Sequence, residues 1–462
     1  MTRCARPGSW MTPFHSTTPS VSGALPGALA GERHQSLRTS MRIMLGAVAV
    51  VAGSAAQATQ FPEGIEYSFQ AQSYPQYQSN PFRFSEADRP RRESDVVLVN
   101  GLRGAAIIPL LSERTRLDVS GTVNDANYSH FSQLDHQAKR LDATLRWHAG
   151  DLFNGRVDYM YDNRLYNYLN RTFPDRDMVQ TDGVSVQAGM RITENLELPV
   201  ITLNQAKVDY DLPDNRTLYN RNEDGWQAAF VYSGNGNSFL RGGIRQANVY
   251  YRDRTPFWTN LIDNRYRDRE VFIGGQWDYS AKTTFGARIG YLEREYSKLS
   301  ERDERLLTID AKAGWDYSAK TRFDLNMWRR PYANDDSPTT LYSTVTGVRA
   351  SLRYKMSDKT RMSFNMVAEN QKDTPIAGAV ADSARLYRTG VRLEWAARDN
   401  VLVVLDGYHD RTNGRDDSAS FRQNVARLGV VFSFDNNGRA ARLLWNPECE
   451  PPKYVEASYC DN

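Results

Sequence analysis

The chain has 462 residues, 24% of them charged, with a formal net charge of +3 and a mean hydropathy of -0.62. No run of about eighteen apolar residues is present to cross a membrane as a helix. The charge balance argues for no nucleic-acid partner, but this composition does not exclude a membrane β-barrel, in which only alternate residues meet lipid.

Residues 1–40 are rich in Ser, Pro, Gly and Arg without periodicity and read as a gene-model extension ahead of a start at Met41. Met41-Arg42, the apolar run Ile43–Val51 and Ala56-Gln57-Ala58 then form a signal peptide, residues 41–58, with cleavage expected after Ala58. Without residues 1–58 the chain keeps 53 basic and 54 acidic residues, so its basic character belongs to the leader. Cys4 lies in that leader. Cys449 and Cys460 remain, and an exported chain with two cysteines in its tail suggests one disulfide between them.

From residue 59 to 434 the sequence alternates apolar and polar residues in stretches punctuated by turn signals. The clearest punctuation is a phrase written twice, Trp277-Asp278-Tyr279-Ser280-Ala281-Lys282-Thr283 and Trp315-Asp316-Tyr317-Ser318-Ala319-Lys320-Thr321, with echoes at 354–360 and 395–400. Ser112-Glu113-Arg114-Thr115 matches its turn closely, and looser turns fall at 149–151, 193–195 and 233–236. A period near forty with a Trp-Asp pair could mark a β-propeller, but a blade needs four short strands where this spacing holds two long ones. Eight short turns alternate with long polar connections such as 163–177, 211–224, 252–269 and 373–384. This predicts an all-β fold, a transmembrane antiparallel barrel of about 18 strands with 16 as the alternative, short turns periplasmic and long loops extracellular. Its first strand is expected at 65–73.

Trp147, Trp277, Trp315, Tyr354 and Trp395 precede short turns, while Tyr159, Tyr291, Tyr342 and Tyr387 lie toward the long loops, as two aromatic girdles would. Tyr387 and Trp395 share a face about 26 Å apart along a strand, or about 20 Å vertically after tilt. The last strand, Ala426 to Phe434, ends on Phe432 and Phe434 in the manner of an insertion signal read by the outer-membrane assembly machinery. Residues 435–462 are then a periplasmic tail that docks a periplasmic partner, tucks under the pore or stands free in solvent.

The faces opposite the aromatics carry Arg146, Arg156, Arg191, Arg288, Arg322, Arg349, Arg353, Arg361, Arg388, Arg392, Arg427 and Lys312, interleaved with Asp118, Asp142, Asp158, Glu270, Asp278, Asp310, Asp316, Asp324 and Glu394. Charges at this density cannot form a dry core, so water is expected inside. The arginines either attract anions or pair with carboxylates to stiffen the wall. Tyr166, Tyr219, Trp258 and Tyr266 are candidate sugar-stacking residues of the long loops. His130, His136, His148 and His409 lack metal-ligand spacing, and no nucleophile or nucleotide motif is present. No enzyme, metal or cofactor is expected.

The signal peptide, the hairpins of 38–41 residues, the loops rich in Tyr, Arg and Asn, and the 426–434 strand together resemble the β-barrel proteins of bacterial exopolysaccharide clusters, the exosortase-associated EpsL-type family. The resemblance implies a passive conduit exporting an anionic polysaccharide across an outer membrane of phospholipid and lipopolysaccharide, with a periplasmic polysaccharide export protein as partner. A diffusion porin with anion preference and a non-conducting assembly or anchoring protein are the alternatives.

Overall fold

The computed structural model describes residues 64–436, apart from 88–91, 113, 167–174, 235, 237, 333–339, 376–382 and 415–419. The leader, the cleavage after Ala58, the Cys449–Cys460 disulfide and the tail beyond 436 lie outside the described residues.

The strands in chain order are β1 Glu66–Gln78, β2 Asp95–Ser112, β3 Thr115–Tyr128, β4 His136–Ala149, β5 Phe153–Leu165, β6 Met178–Thr193, β7 Leu196–Tyr210, β8 Arg221–Ser233 and β9 Phe239–Tyr251. They continue as β10 Arg265–Ser280, β11 Thr283–Tyr296, β12 Glu304–Ser318, β13 Thr321–Tyr332, β14 Thr340–Lys355, β15 Thr360–Pro375, β16 Ser383–Arg398, β17 Val401–Asn413 and β18 Phe421–Asp435. Each pairs antiparallel with the next, and β1 pairs with β18 from Ser68↔Asp435 to Gln78↔Val425, closing an 18-stranded barrel. The sixteen-strand alternative is thereby set aside. The first strand runs to Gln78, beyond the 65–73 expected from sequence.

Alternation decides which way each residue points. Val271, Ile273, Trp277 and Tyr279 on β10, Phe285, Ile289 and Tyr291 on β11, and Phe323, Leu325 and Met327 on β13 are all exposed on one face. An exposed apolar band wrapping a closed sheet is unstable in water and suited to hydrocarbon; the fold is a transmembrane β-barrel. Trp277, Trp315, Tyr354 and Trp395 stand exposed near the short turns, and Tyr159, Tyr291 and Tyr387 nearer the long loops, as two girdles require. On the same outer face Trp147 lies across Gly155, where a Cβ would meet its ring at 2.6 Å.

The repeated phrase owes its turn to one hydroxyl. Ser280 Oγ accepts the amide of Lys282, Ser318 Oγ that of Lys320 and Ser357 Oγ that of Lys359, each at 3.2 Å. The serine thus pins the chain two residues ahead and the sheet turns back. At the other rim the connections are shorter than the sequence predicted. Residues 163–165, 221–224, 265–269 and 373–375, read as loop because they are polar, belong to strands β5, β8, β10 and β15. Backbone pairing and cross-strand ion pairs carry those strands past the apolar band, where hydropathy no longer marks them.

Candidate functional site

The inner face is a set of ion-pair ladders. Arg288 forks onto Glu270 at 3.2 and 2.7 Å, and Glu270 also accepts from Thr308 at 2.7 Å and lies 3.8 Å from Arg245. Arg322 meets Asp316 at 3.1 Å and Asp324 at 3.0 Å, and Arg353 meets Asp324 at 2.6 Å. Arg361 and Arg392 share Glu394 at 3.7 and 2.8 Å. Arg388 grips Asp410 through two bonds of 2.6 and 2.9 Å, and Arg427 bonds Asp406. Arg349 stands opposite Asn326, and the Lys312 chain lies across Gly286. The sequence-predicted cluster is therefore brought to one surface, with most of its members engaged by carboxylates of neighbouring strands. Such forks fix side-chain geometry, and removing one partner from a buried pair costs about 3–5 kcal/mol.

Sequence reasoning missed several members of this surface. Arg103 on β2 lies within electrostatic reach of Tyr74, Arg392 and Arg427. Arg294 forks onto Asp268 at 2.7 and 2.8 Å and stands 4.2 Å from the centroid of Tyr266. Arg103 was hidden by the weak alternation of 61–110, and Arg294 by its distance from any repeat; the alternation of Gly290, Leu292 and Arg294 against Ile289 and Tyr291 was the available signal.

At the long-loop rim two connections fold back on the wall. The connection after β1 turns inward: Arg83 bonds Gln423 at 3.1 Å and reaches Asp410 at 3.4 Å, both inner-face residues of β17 and β18. Phe82 and Phe84, almost fully buried, pack with Leu134 and with Tyr128, Phe131, Leu165 and Tyr166. Eight places round the ring, the connection after β9 carries helix α2, Pro256–Ile262. There the Arg254 guanidinium sits 3.6 Å from the centroid of the inward Tyr251 ring and donates to the Leu218 carbonyl at 3.1 Å. Eight places apart in a ring of eighteen, the two connections lie on nearly opposite sides of the rim.

Three buried aspartates, at or just before the starts of β2, β6 and β10, hold the rim. Asp95 accepts the amides of Ser129, His130 and Phe131; Asp177 those of Asp211 and Leu212; Asp263 those of Lys298 and Leu299 with the Ser297 hydroxyl. Two of the captured tips share a sequence that went unread, Tyr128-Ser-His-Phe-Ser-Gln-Leu-Asp135 and Tyr296-Ser-Lys-Leu-Ser-Glu-Arg-Asp303. In each the final aspartate takes the tyrosine amide at 2.7 Å and a 3-10 turn lies between. Burial raises the Asp177 carboxyl more than its partners lower it. Burial also acts upward on Asp263, but the Lys298, Asn264 and Arg265 amides and the Ser297 hydroxyl together hold it below the usual carboxylate range.

The predicted sugar-stacking aromatics each pack against another aromatic ring of the rim. Tyr266 belongs to β10 rather than to a loop and is buried beside Tyr251 and Tyr296. Tyr219, on helix α1 (Pro213–Tyr219), is buried 5.6 Å from Tyr210, and Tyr166 lies 6.0 Å from Tyr210. Trp258 meets exposed Phe257 edge-on at 5.3 Å. Their burial follows from closing the rim, since a ring's large apolar area is most stabilising when covered. His130 is 3.4 Å from Asp95 while the neighbouring Ser129 hydroxyl donates to the Val96 carbonyl, so the three do not form a nucleophile-base pair.

No protein-family model matches the chain, and no curated protein matches it. Among solved structures, it is similar in shape to OccAB3 of Acinetobacter baumannii, at 9% identity and a TM-score of 0.46 over 80% of this chain and 99% of that one. It is likewise similar to Pseudomonas aeruginosa OccK2 (OpdF) in complex with glucuronate, at 11% identity and 0.48 over 82% and 100%. P. aeruginosa OpdK with vanillate matches at 10% identity and 0.45 over 81% and 100%. The fold assignment rests on the chain's own strand order and register.

Proposed function

We propose that this barrel is a passive channel of a bacterial outer membrane, a diffusion porin for small hydrophilic solutes with a preference for anions. The observation that carries the reading is the inner wall: arginines and carboxylates in ladders, on a closed ring of eighteen strands, need water beside them. Short turns then face the periplasm and long loops the outside. Planar-bilayer recording of the purified barrel tests it: discrete openings, with a reversal potential displaced toward the anion side in a salt gradient, are expected. A silent bilayer overturns it and favours the anchoring role.

The polymer conduit implied by the EpsL-type resemblance has less behind it. The connection after β1 turns into the lumen, which suits small solutes better than a continuous chain. Secreted polysaccharide falling on deletion of the gene would restore the conduit, with its periplasmic export partner and anionic polymer. In either case the surroundings are phospholipid and lipopolysaccharide, and the strand ending in Phe432 and Phe434 is the segment offered to the insertion machinery.

A further inference from the structure

One row of the inner wall departs from the ladder pattern. Arg116 of β3 stands opposite Arg146 of β4, Arg146 opposite Arg156 of β5, and Arg156 opposite Gln187 of β6. All face the lumen, since Leu117, Leu145 and Val157 between them face outward with the girdle. Like charges directly opposite on adjacent strands destabilise a sheet, so three arginines in register call for anions nearby.

The chain supplies three carboxylates for four guanidiniums. Asp118 is shared by Arg116 at 3.0 Å and Arg146 at 3.2 Å, and Asp158 takes Arg156 at 2.7 Å. Glu197 takes Arg191 at 3.2 Å and Asn154 at 2.9 Å. The local balance is one positive charge in excess, and at about five N–H donors per guanidinium the donors outnumber the carboxylate oxygens. The surface is also concave: Arg146, Arg156 and Arg191 line a hollow of about 240 Å³ together with His148, Asn154, Gln187 and the Glu197 carboxylate that Arg191 and Asn154 already engage. His148 is oriented from behind, its Nδ1 lying 3.0 Å from the Arg114 carbonyl.

We infer that this hollow, at the short-turn end of the lumen, is a binding site for a small carboxylate-bearing solute. A planar carboxylate matches the guanidinium fork and supplies the missing negative charge, while the Asn154 and Gln187 amides can serve the solute's neutral oxygens. The inference deepens the channel reading and rests on it for the solute's route, though not for the site itself.

Calorimetric titration of succinate into the detergent-solubilised full chain tests it, beside bilayer recordings of the same preparation. Saturable binding is expected, weakened about tenfold or more in Arg156→Gln. The double variant Arg146→Lys, Arg156→Lys keeps the charge and loses the forks, so it is expected to bind more weakly than wild type even where Arg156→Gln fails to fold. Unchanged affinity in a folded Arg156→Gln barrel, or a wild type that conducts without binding succinate, overturns the inference and leaves the channel reading standing. Arginine-dependent binding by a barrel that never opens supports the site and overturns the channel.

Discussion

Arg83, in the inward connection after β1, reaches the Asp410 carboxylate at 3.4 Å, and that carboxylate is already gripped by Arg388 at 2.6 and 2.9 Å. One fully buried acid thus ties a loop to the wall. Arg83→Ala is expected to release the loop and raise single-channel conductance with little loss of stability. Asp410→Ala leaves Arg388 without its fork and is expected to cost about 3–5 kcal/mol, read as a lower temperature for the shift in gel mobility on heating. Equal conductance in Arg83→Ala and wild type would falsify the narrowing role of this loop.

Asp263 and Asp177 hold neighbouring parts of the rim but answer acid in opposite senses. Asp263 is held low, so its contribution is present above the unfolded value, about 3.9, and is lost as pH falls through its lower folded value. Asp177 is raised, so its contribution is complete below the unfolded value and declines as pH climbs through the folded one. Hydrogen exchange corrected for intrinsic rates is expected to show the Lys298 and Leu299 amides losing protection only in strong acid, while Asp211 and Leu212 gain protection on mild acidification. Parallel behaviour of the two pairs contradicts the assignment.

Gly155 gives Trp147 its seat in the short-turn girdle. A valine there places atoms within 2.6 Å of the indole and 2.3 Å of the Gln187 carbonyl. Gly155→Val is expected to destabilise by about 1–3 kcal/mol and to shift tryptophan fluorescence to the red as the ring leaves the interface. Retention of both heat resistance and emission maximum argues that the ring is not seated there.

Replacing Arg349, Arg353, Arg388 and Arg392 together by serine removes four cations from one side of the lumen. Because Asp324, Asp410 and Glu394 remain, the wall changes sign locally rather than becoming neutral. The reversal potential is expected to move toward cation preference, by more than four isolated charges in water would produce. An unmoved potential shows that these side chains do not face the permeation path.

The architecture was legible because period two is enforced twice, by lipid on one face and water on the other. The phrase at 277–283 and its echoes located the turns, and Trp277 and Trp315 stand outward as read. Strand ends beyond the apolar band were lost because one of those two solvents is gone there. Residues such as Arg265 and Asp373 read as loop but pair as strand. The arginines and the carboxylates interleaved with them were legible, but not which pairs with which, since partners on adjacent strands are well separated in sequence: Arg353 meets Asp324 at 29 residues' distance and Arg388 meets Asp410 at 22. The inward loop after β1 left no periodic trace, being built from single residues: Arg83 reaches Gln423 and Asp410 over three hundred positions away, and Phe82 and Phe84 pack on Leu134.

The seam between β1 and β18 joins residues at the two extremes of the described chain, Ser68 with Asp435 and Ala71 with Phe432. Until that final segment has been delivered, β1 and β17 both present raw edges to hydrocarbon, with nothing to satisfy their amides. A product cut short before Phe421 therefore has no partially closed form to rest in: it must be retained by chaperones or destroyed. Biogenesis of this barrel is committed only with its last fifteen strand residues.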